Sequence, residues 1–246
     1  MDKVALIIGG TGGVGSAIVS LLSRNGMRVY ATYYKNKENI EKTKQLENCQ
    51  FIQCDIRKEA DVNKVIEHII NNESKIDIVI NTATSRLKLK PFEQLSHQEF
   101  FNDIEVILLG AINLFRSVVP LMKKNKCGTI INMLTATINN PATRMSSYIT
   151  SKSGLFGLTK SLSVELKPFN INIYGISPSF IETDLIKAFP KKLLEIEREK
   201  SLDKKFLQPK DIAELTLNII QKPEKYLSGT NIIIKTRQDI VRLIEK

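Results

Sequence analysis

Short apolar runs alternate with helical patterns along the chain. The runs lie at residues 4–8, 28–33, 51–54, 76–81, 129–133, 171–177 and 232–235, and they are rich in Val, Ile and Leu with no polar alternation. Strands without a polar face are buried on both sides, as in parallel sheets covered by helices. Between them, residues 13–25, 59–71, 96–124, 146–166 and 208–221 read as helices. Gly26 stops the first, and Ser96 with Glu99 forms a capping box at the start of the third. This alternation predicts a single Rossmann-like, doubly wound α/β domain over residues 1–246, a seven-stranded parallel sheet flanked by helices. Residues 183–207 are charged and carry Pro190. They read either as a mobile segment covering a site or as a surface helical insertion.

The turn between the first strand and the first helix carries the strongest chemical signal. It reads Gly9-Gly10-Thr11-Gly12-Gly13-Val14-Gly15. Gly10, Gly12 and Gly15 fit one dinucleotide register, and Gly9, Gly13 and Gly15 fit another. In both, glycine allows a tight turn and close approach of backbone to a pyrophosphate. The helix N-terminus offers unpaired N–H groups to that anion. Dinucleotide sites often carry an acid after the second strand to hold the ribose 2′-hydroxyl. Here Tyr33-Tyr34-Lys35-Asn36-Lys37 has no carboxylate. Lys35 or Lys37 would meet a 2′-phosphate, which points to NADP(H) and leaves NAD(H) open. These lysines also read as ordinary surface residues.

Tyr148 and Lys152 stand four apart, on one face of a helix. A phenol with an ordinary pKa of about 10 is a poor acid–base catalyst near neutrality. A neighbouring ammonium favours the phenolate and lowers that pKa, fitting the pair to exchange a proton with a carbonyl or hydroxyl oxygen. Spacing alone proves little, because chance supplies about one such pair in a chain of this composition. Tyr33 and Lys37 form a second.

Composition narrows the classes. The formal net charge is +10, but the lysines are spread out and no aromatic-plus-basic array stands out, so no nucleic-acid partner is expected. The three cysteines and two histidines make no metal set, and sparse cysteines fit reduced thiols in a cytoplasm. No membrane span is expected, since the apolar run at 106–122 is interrupted by Asn113, Arg116 and Pro120.

Taken with its surroundings, the chain resembles the short-chain dehydrogenase/reductase family over nearly its whole length. The turn at Gly9, Gly13 and Gly15 matches that family's cofactor loop, and Thr11 and Val14 lie within it. Asp55 matches an acid that contacts adenine. Asn81-Thr82-Ala83-Thr84 resembles the family's Asn-Asn-Ala-Gly. Thr135 lies thirteen residues before Tyr148, where the family has a serine. Pro178, Ile181 and Thr183 fall where the segment after strand six holds the nicotinamide. Phe180-Ile181-Glu182-Thr183-Asp184 and the Tyr33-Tyr34 region look most like 3-oxoacyl-[acyl-carrier-protein] reductases of fatty acid biosynthesis.

The resemblance implies an NADP(H)-dependent carbonyl reductase. Tyr148 would donate the proton, Lys152 would hold the nicotinamide ribose and depress the tyrosine pKa, and Thr135 would bind the substrate oxygen. Gly9, Thr11, Gly13, Val14, Gly15, Tyr33, Lys35, Asp55, Asn81, Ala83, Lys152, Pro178, Ile181 and Thr183 would line the cofactor. It also implies a homodimer or homotetramer built on the two long helices, and an acidic acyl carrier protein as partner for the basic surface. Arg144 reads either as a grip on an anionic substrate or as a solvated loop residue. The sequence departs from the family at several places. Ile107, in Val106-Ile107-Leu108-Leu109-Gly110, stands where the family's helix-kinking Asn is expected, and an isoleucine is expected to support neither the kink nor a water relay. Thr82, Thr84, Tyr174, Ser179 and the 234–237 end differ as well. The alternative reading is a catalytically impaired, cofactor-binding protein with a redox-sensing or assembly role.

Overall fold

The computed structural model describes residues 3–35, 40–41, 46–201 and 204–245. Seven strands form one sheet: β1 (Val4–Ile8), β2 (Arg28–Tyr33), β3 (Cys49–Gln53), β4 (Ile78–Asn81), β5 (Gly128–Met133), β6 (Ile171–Pro178) and β7 (Asn231–Ile234). Their order is β3-β2-β1-β4-β5-β6-β7, and every pairing is parallel. The central strands β1 and β4 are buried at every position. Continuous apolar runs therefore do become parallel strands covered on both faces. The edge strand β3 is half-exposed and starts earlier than its apolar residues imply.

Helices cover the sheet on both sides. One core packs α1 (Gly13–Arg24), α7 (Pro209–Gln221) and α8 (Arg237–Glu245) against one face, through Ile18, Leu22, Ile212, Leu215, Ile219 and Ile240. The other face holds α2 (Glu59–Glu73), α4 (Gly110–Asn125) and α5 (Ser146–Leu166). The strand order reverses between β1 and β4, so the chain leaves these strands in opposite directions. A crevice opens there beyond their C-terminal ends, the usual ligand position in such sheets.

The helical run expected at 96–124 is three segments: α3 (His97–Asp103), a π segment (Ile104–Leu109) and α4. Ser96 and Glu99 form the expected capping box, each side chain meeting the other's backbone N–H. The helix widens at the position of Ile107, contrary to the expectation that isoleucine there would lose the kink. Packing accounts for it. Leu108 lies against Gly154 of α5, where a Cβ would come within 2.9 Å of it, and Gly110 lies against Ile56. Residues 97–125 are also long and apolar enough to cross a bilayer by length and composition, contrary to expectation. Their apolarity serves the core, where Ile107, Ala111, Leu114, Val118 and Met122 are fully buried.

Two short amphipathic helices complete the fold. α6 (Lys191–Glu199) lies within the charged segment and buries none of its residues. α8 follows β7 and is anchored by Ile240 and by Arg237, which pairs with Asp211 and Glu214.

Candidate active site

The glycine turn runs from the buried end of β1 into α1. Gly9 has φ +78°, a conformation that glycine adopts without strain. A Cβ at Gly15 would stand 2.2 Å from the Gly9 carbonyl oxygen, so the turn closes only with glycine there. Gly12 caps α1 without any side-chain hydrogen bond, which leaves the first-turn N–H groups of Gly13, Val14 and Gly15 for an anion. This cradle fits the pyrophosphate of a dinucleotide. Thr11 is buried beside it, and Thr183, from the segment after β6, packs its methyl over Gly13.

The neighbouring loops are tied to the turn. Gly10 N–H donates to the Thr32 carbonyl at 2.8 Å. Thr82, which departs from the family pattern, donates from its hydroxyl to the carbonyls of Ile8 at 2.7 Å and Gly9 at 3.2 Å. Asn81 is buried, pairs in register with Ile8 and Asn132, and accepts from Ala83 N–H at 3.1 Å. Ser179 fastens Pro178 to the end of β7 by donating twice, from N–H to Ile234 O and from Oγ to Lys235 O. Ile181 bridges to Leu207. Tyr174, another departure, is a core residue whose hydroxyl donates to Pro223 O.

At the end of β2, Tyr33 is half-buried and Lys35 is exposed, its ammonium 5.0 Å from the Tyr34 ring centre. Lys37 lies outside the described residues. Asp55 is buried at the end of β3, and both its oxygens accept from Arg57, at 2.8 and 2.7 Å. Arg57 also donates to the Tyr34 hydroxyl at 3.0 Å. That guanidinium holds the Asp55 carboxyl below the usual carboxylate range. Arg57 and Tyr34 were not singled out from the sequence. The readable signal was a basic residue two positions after the adenine-end acid.

Tyr148 and Lys152 lie on α5, facing the end of β5. Both are buried, and Tyr148 is hydrogen-bonded to the Thr135 side chain. Thr135 also meets the Thr137 hydroxyl at 3.0 Å. Lys152 donates to the Met133 carbonyl at 2.6 Å, and its ammonium lies 5.8 Å from the Tyr148 ring centre. The structure therefore brings Thr135, Tyr148 and Lys152 together.

It corrects one part of their expected electrostatics. Lys152 is not among the groups that lower the phenol's pKa. Burial pushes Tyr148 up to about 12, the Thr135 bond opposes this, and the charge of Asp103 adds to it. Burial lowers Lys152 to about 7, which weakens the ammonium that was to stabilise a phenolate. Arg144 is exposed, in the left-handed region at φ +63° just before α5.

The comparisons with known proteins agree with this geometry. The short chain dehydrogenase family profile matches residues 3–193. The chain is 28% identical over 240 residues to a 3-oxoacyl-[acyl-carrier-protein] reductase of Staphylococcus epidermidis, covering 94% of this chain and 97% of that one. It is also 28% identical over 233 residues to the protein of the same name from Aquifex aeolicus, covering 92% and 93%. The crystal structure of gox2181 superposes with a TM-score of 0.87 at 19% identity, covering 95% of this chain and 94% of that one, a likeness of fold. The chain belongs to the short-chain dehydrogenase/reductase family. It is an NAD(P)-dependent oxidoreductase, built for a nicotinamide dinucleotide and carbonyl chemistry.

Proposed function

We propose that this protein uses NADPH to reduce a 3-oxoacyl thioester, carried on an acyl carrier protein, to the 3-hydroxy form. The observation that carries the reading is the gathering of Thr135, Tyr148 and Lys152, with Tyr148 and Lys152 buried, at the C-terminal edge of the sheet that also carries the glycine turn. Bound NADPH supplies the hydride. Thr135 donates a hydrogen bond to the substrate carbonyl oxygen, and Tyr148 delivers the proton to that same oxygen. A phenol held at about 12 is protonated at neutral pH, the form from which a proton can be delivered in the reductive direction. Lys152 turns from the Met133 carbonyl to the nicotinamide ribose.

Gly9, Thr11, Gly13, Val14 and Gly15 hold the pyrophosphate; Asn81, Ala83, Pro178, Ile181 and Thr183 flank the nicotinamide half; and Tyr33, Lys35 and Asp55 flank the adenosine half. Lys35 supports NADP(H) over NAD(H), with Arg57 close by. The net charge of +10 suits an acidic carrier protein. The 183–207 segment, with α6 unburied and Phe180 packed on Phe189 and Phe206, supports a cover for the acyl chain. Phe101, Leu109 and Val164 are exposed on the long helices and support a subunit interface there.

A second reading, cofactor binding with impaired turnover, rests on Ile107, which puts a fully buried apolar side chain where the family has a polar one. One experiment separates the two. The purified protein should consume NADPH with an acetoacetyl thioester. Tyr148→Phe should lower kcat by about 10²–10⁴-fold with NADPH affinity unchanged. NADPH binding without oxidation by any thioester or small ketone would leave the impaired reading standing.

A further inference from the structure

At the adenosine end of the crevice, two cations gather on one exposed phenol. Tyr34 directly follows β2 and is 45% exposed. The Lys35 ammonium lies 5.0 Å from its ring centre, and the Arg57 guanidinium carbon lies 5.3 Å from the same point. Lys35 is the next residue along the chain. Arg57 comes from the turn between β3 and α2.

The two cations are held very differently. Lys35 is exposed and reaches the ring from its own strand end. Arg57 is braced at three points. Its Nε donates to Asp55 Oδ1 at 2.8 Å, and its Nη2 donates to Asp55 Oδ2 at 2.7 Å and to the Tyr34 hydroxyl at 3.0 Å. Asp55 is buried, and its Oδ1 also accepts the Arg57 backbone N–H at 3.2 Å. A guanidinium has five N–H donors. These bonds use three of them, and among the described residues no acceptor meets the two on Nη1. The Arg57 side chain is one third exposed, so those donors are open to a ligand. The Tyr34 hydroxyl accepts from Arg57 and keeps its own proton to donate. A planar fork fixed in this way has already lost the rotamer freedom that binding would otherwise remove.

Position indicates the ligand. Gly10 N–H donates to the Thr32 carbonyl, which sets the end of β2 against the glycine turn. In doubly wound sheets the groups past this strand face the adenosine ribose, and a cation there suits a 2′-phosphate. The cluster sets two cations against one carboxylate, Asp55, and so keeps a positive surplus for a dianion.

We propose that Arg57, braced by Asp55 and Tyr34, is the specificity-determining residue that reads the 2′-phosphate of NADP(H), while Lys35 adds only long-range attraction. Asp55 is then the buttress of that arginine as well as a neighbour of the adenine. The inference rests on the NADP(H) part of the proposed function and not on which carbonyl is reduced.

The test is a fluorescence titration of NADPH and NADH with wild type, Arg57→Gln and Arg57→Lys, which needs no turnover. Arg57→Gln should weaken NADPH at least about tenfold more than NADH, the loss of a hydrogen bond to a charged group. Arg57→Lys keeps a cation for Asp55 but not the fork, and should still lose about three- to tenfold of the NADPH preference. It carries the test if Arg57→Gln does not fold. Both losses should persist at salt concentrations that erase the effect of Lys35→Ala, because a direct bonded contact is screened less than an exposed charge. A wild-type NADPH-to-NADH ratio in Arg57→Lys overturns the proposal. So does equal weakening of both cofactors, the mark of a purely structural arginine. A wild type without preference for NADPH overturns the NADP(H) reading and this inference together. If the wild type binds NADPH but reduces no carbonyl, only the reductase reading has failed, and the two ratios still decide the role of Arg57.

Discussion

The two sides of the crevice hold their sites by different means. On the β1–α1 side the backbone does the holding: the Gly9 conformation, the missing Cβ of Gly15 and the uncapped N-terminus of α1 define an anion cradle whatever the nearby side chains are. On the β4–β5–α5 side the holding is done by side chains: Thr135 on Tyr148, Lys152 on Met133, Asp103 on Ser85 and Ser147. The difference shows in what each side tolerates. The cradle keeps its glycines because a Cβ at Gly15 meets backbone and Gly9 holds a positive φ. The reacting side has exchanged several polar groups, because a hydroxyl or carboxylate from a neighbouring position can restore a contact. Thr82 illustrates it, with a hydroxyl that reaches the Ile8 and Gly9 carbonyls.

The largest effect that would test this contrast lies on the backbone-defined side. Gly15→Ala places a methyl 2.2 Å from the Gly9 carbonyl oxygen, where no flexible side chain can yield. Overpacking of this kind costs about 1–3 kcal/mol, so NADPH affinity should fall by at least about tenfold and the melting temperature with it. Wild-type NADPH affinity in a titration of the variant would show that the turn yields, and the contrast would lose its basis.

On the other side the sharpest handle is pH. Burial holds Lys152 at about 7, against an ordinary 10.5. Below pH 7 the lysine is protonated both folded and unfolded, and the fold carries a buried charge. Between about 7 and 10.5 the unfolded chain binds the proton that the folded one has released, so stability rises with pH across that window. Lys152→Met removes this term. It also strands the Met133 carbonyl, a loss that does not vary with pH. The melting temperature of the variant relative to wild type should therefore be highest near pH 6 and fall steadily towards pH 10. A pH-independent difference would show that Lys152 keeps its charge when buried.

Ile107 sharpens the comparison further. The π segment persists around it, set by Leu108 against Gly154 and Gly110 against Ile56. Ile107→Asn should leave that segment in place and cost about 1–3 kcal/mol through burial of an unpaired amide, read by urea denaturation. A rise in kcat despite that cost would mean that the lack of a polar group at 107 limits turnover in the natural chain. Unchanged kcat would mean that the surrounding hydroxyls suffice.

How much of this the sequence disclosed follows from which interactions leave a periodic trace. Fully buried strands such as β1 and β4 were legible because their positions, Asn81 apart, are apolar. The half-exposed β3 was placed two residues late, since Cys49 and Gln50 add no apolar signal. The kink was illegible because an i→i+5 turn changes the hydrogen bonding of a helix without changing its apolar content. α8 was missed although Ile240, Leu243 and Ile244 keep a helical spacing onto the core, because nine residues give that period little more than one repeat. The Thr135, Tyr148 and Lys152 triad was found by matching motif positions, but the direction of its electrostatics was not, since a pKa depends on burial that residue spacing does not carry. Asp103 escaped for the opposite reason: an acid in a helical run reads as solvated, and only the contacts of Ser85 and Ser147 show that it points inward.

The smallest expected effect concerns the rim, where the backbone-held and side-chain-held regions should converge. Lys35 is exposed and lies over the Tyr34 ring, whose hydroxyl accepts from Arg57. A solvent-exposed cation on a phosphate is screened by salt and contributes modestly. Lys35→Ala should weaken NADPH about three- to tenfold at low ionic strength, leave NADH untouched, and lose most of that difference in high salt. Equal weakening of both cofactors would assign Lys35 to the adenosine as a whole rather than to its 2′-phosphate. A wild type that binds NADH more tightly than NADPH would remove the argument from Lys35 altogether, while leaving the glycine cradle, which grips the pyrophosphate common to both, as it stands.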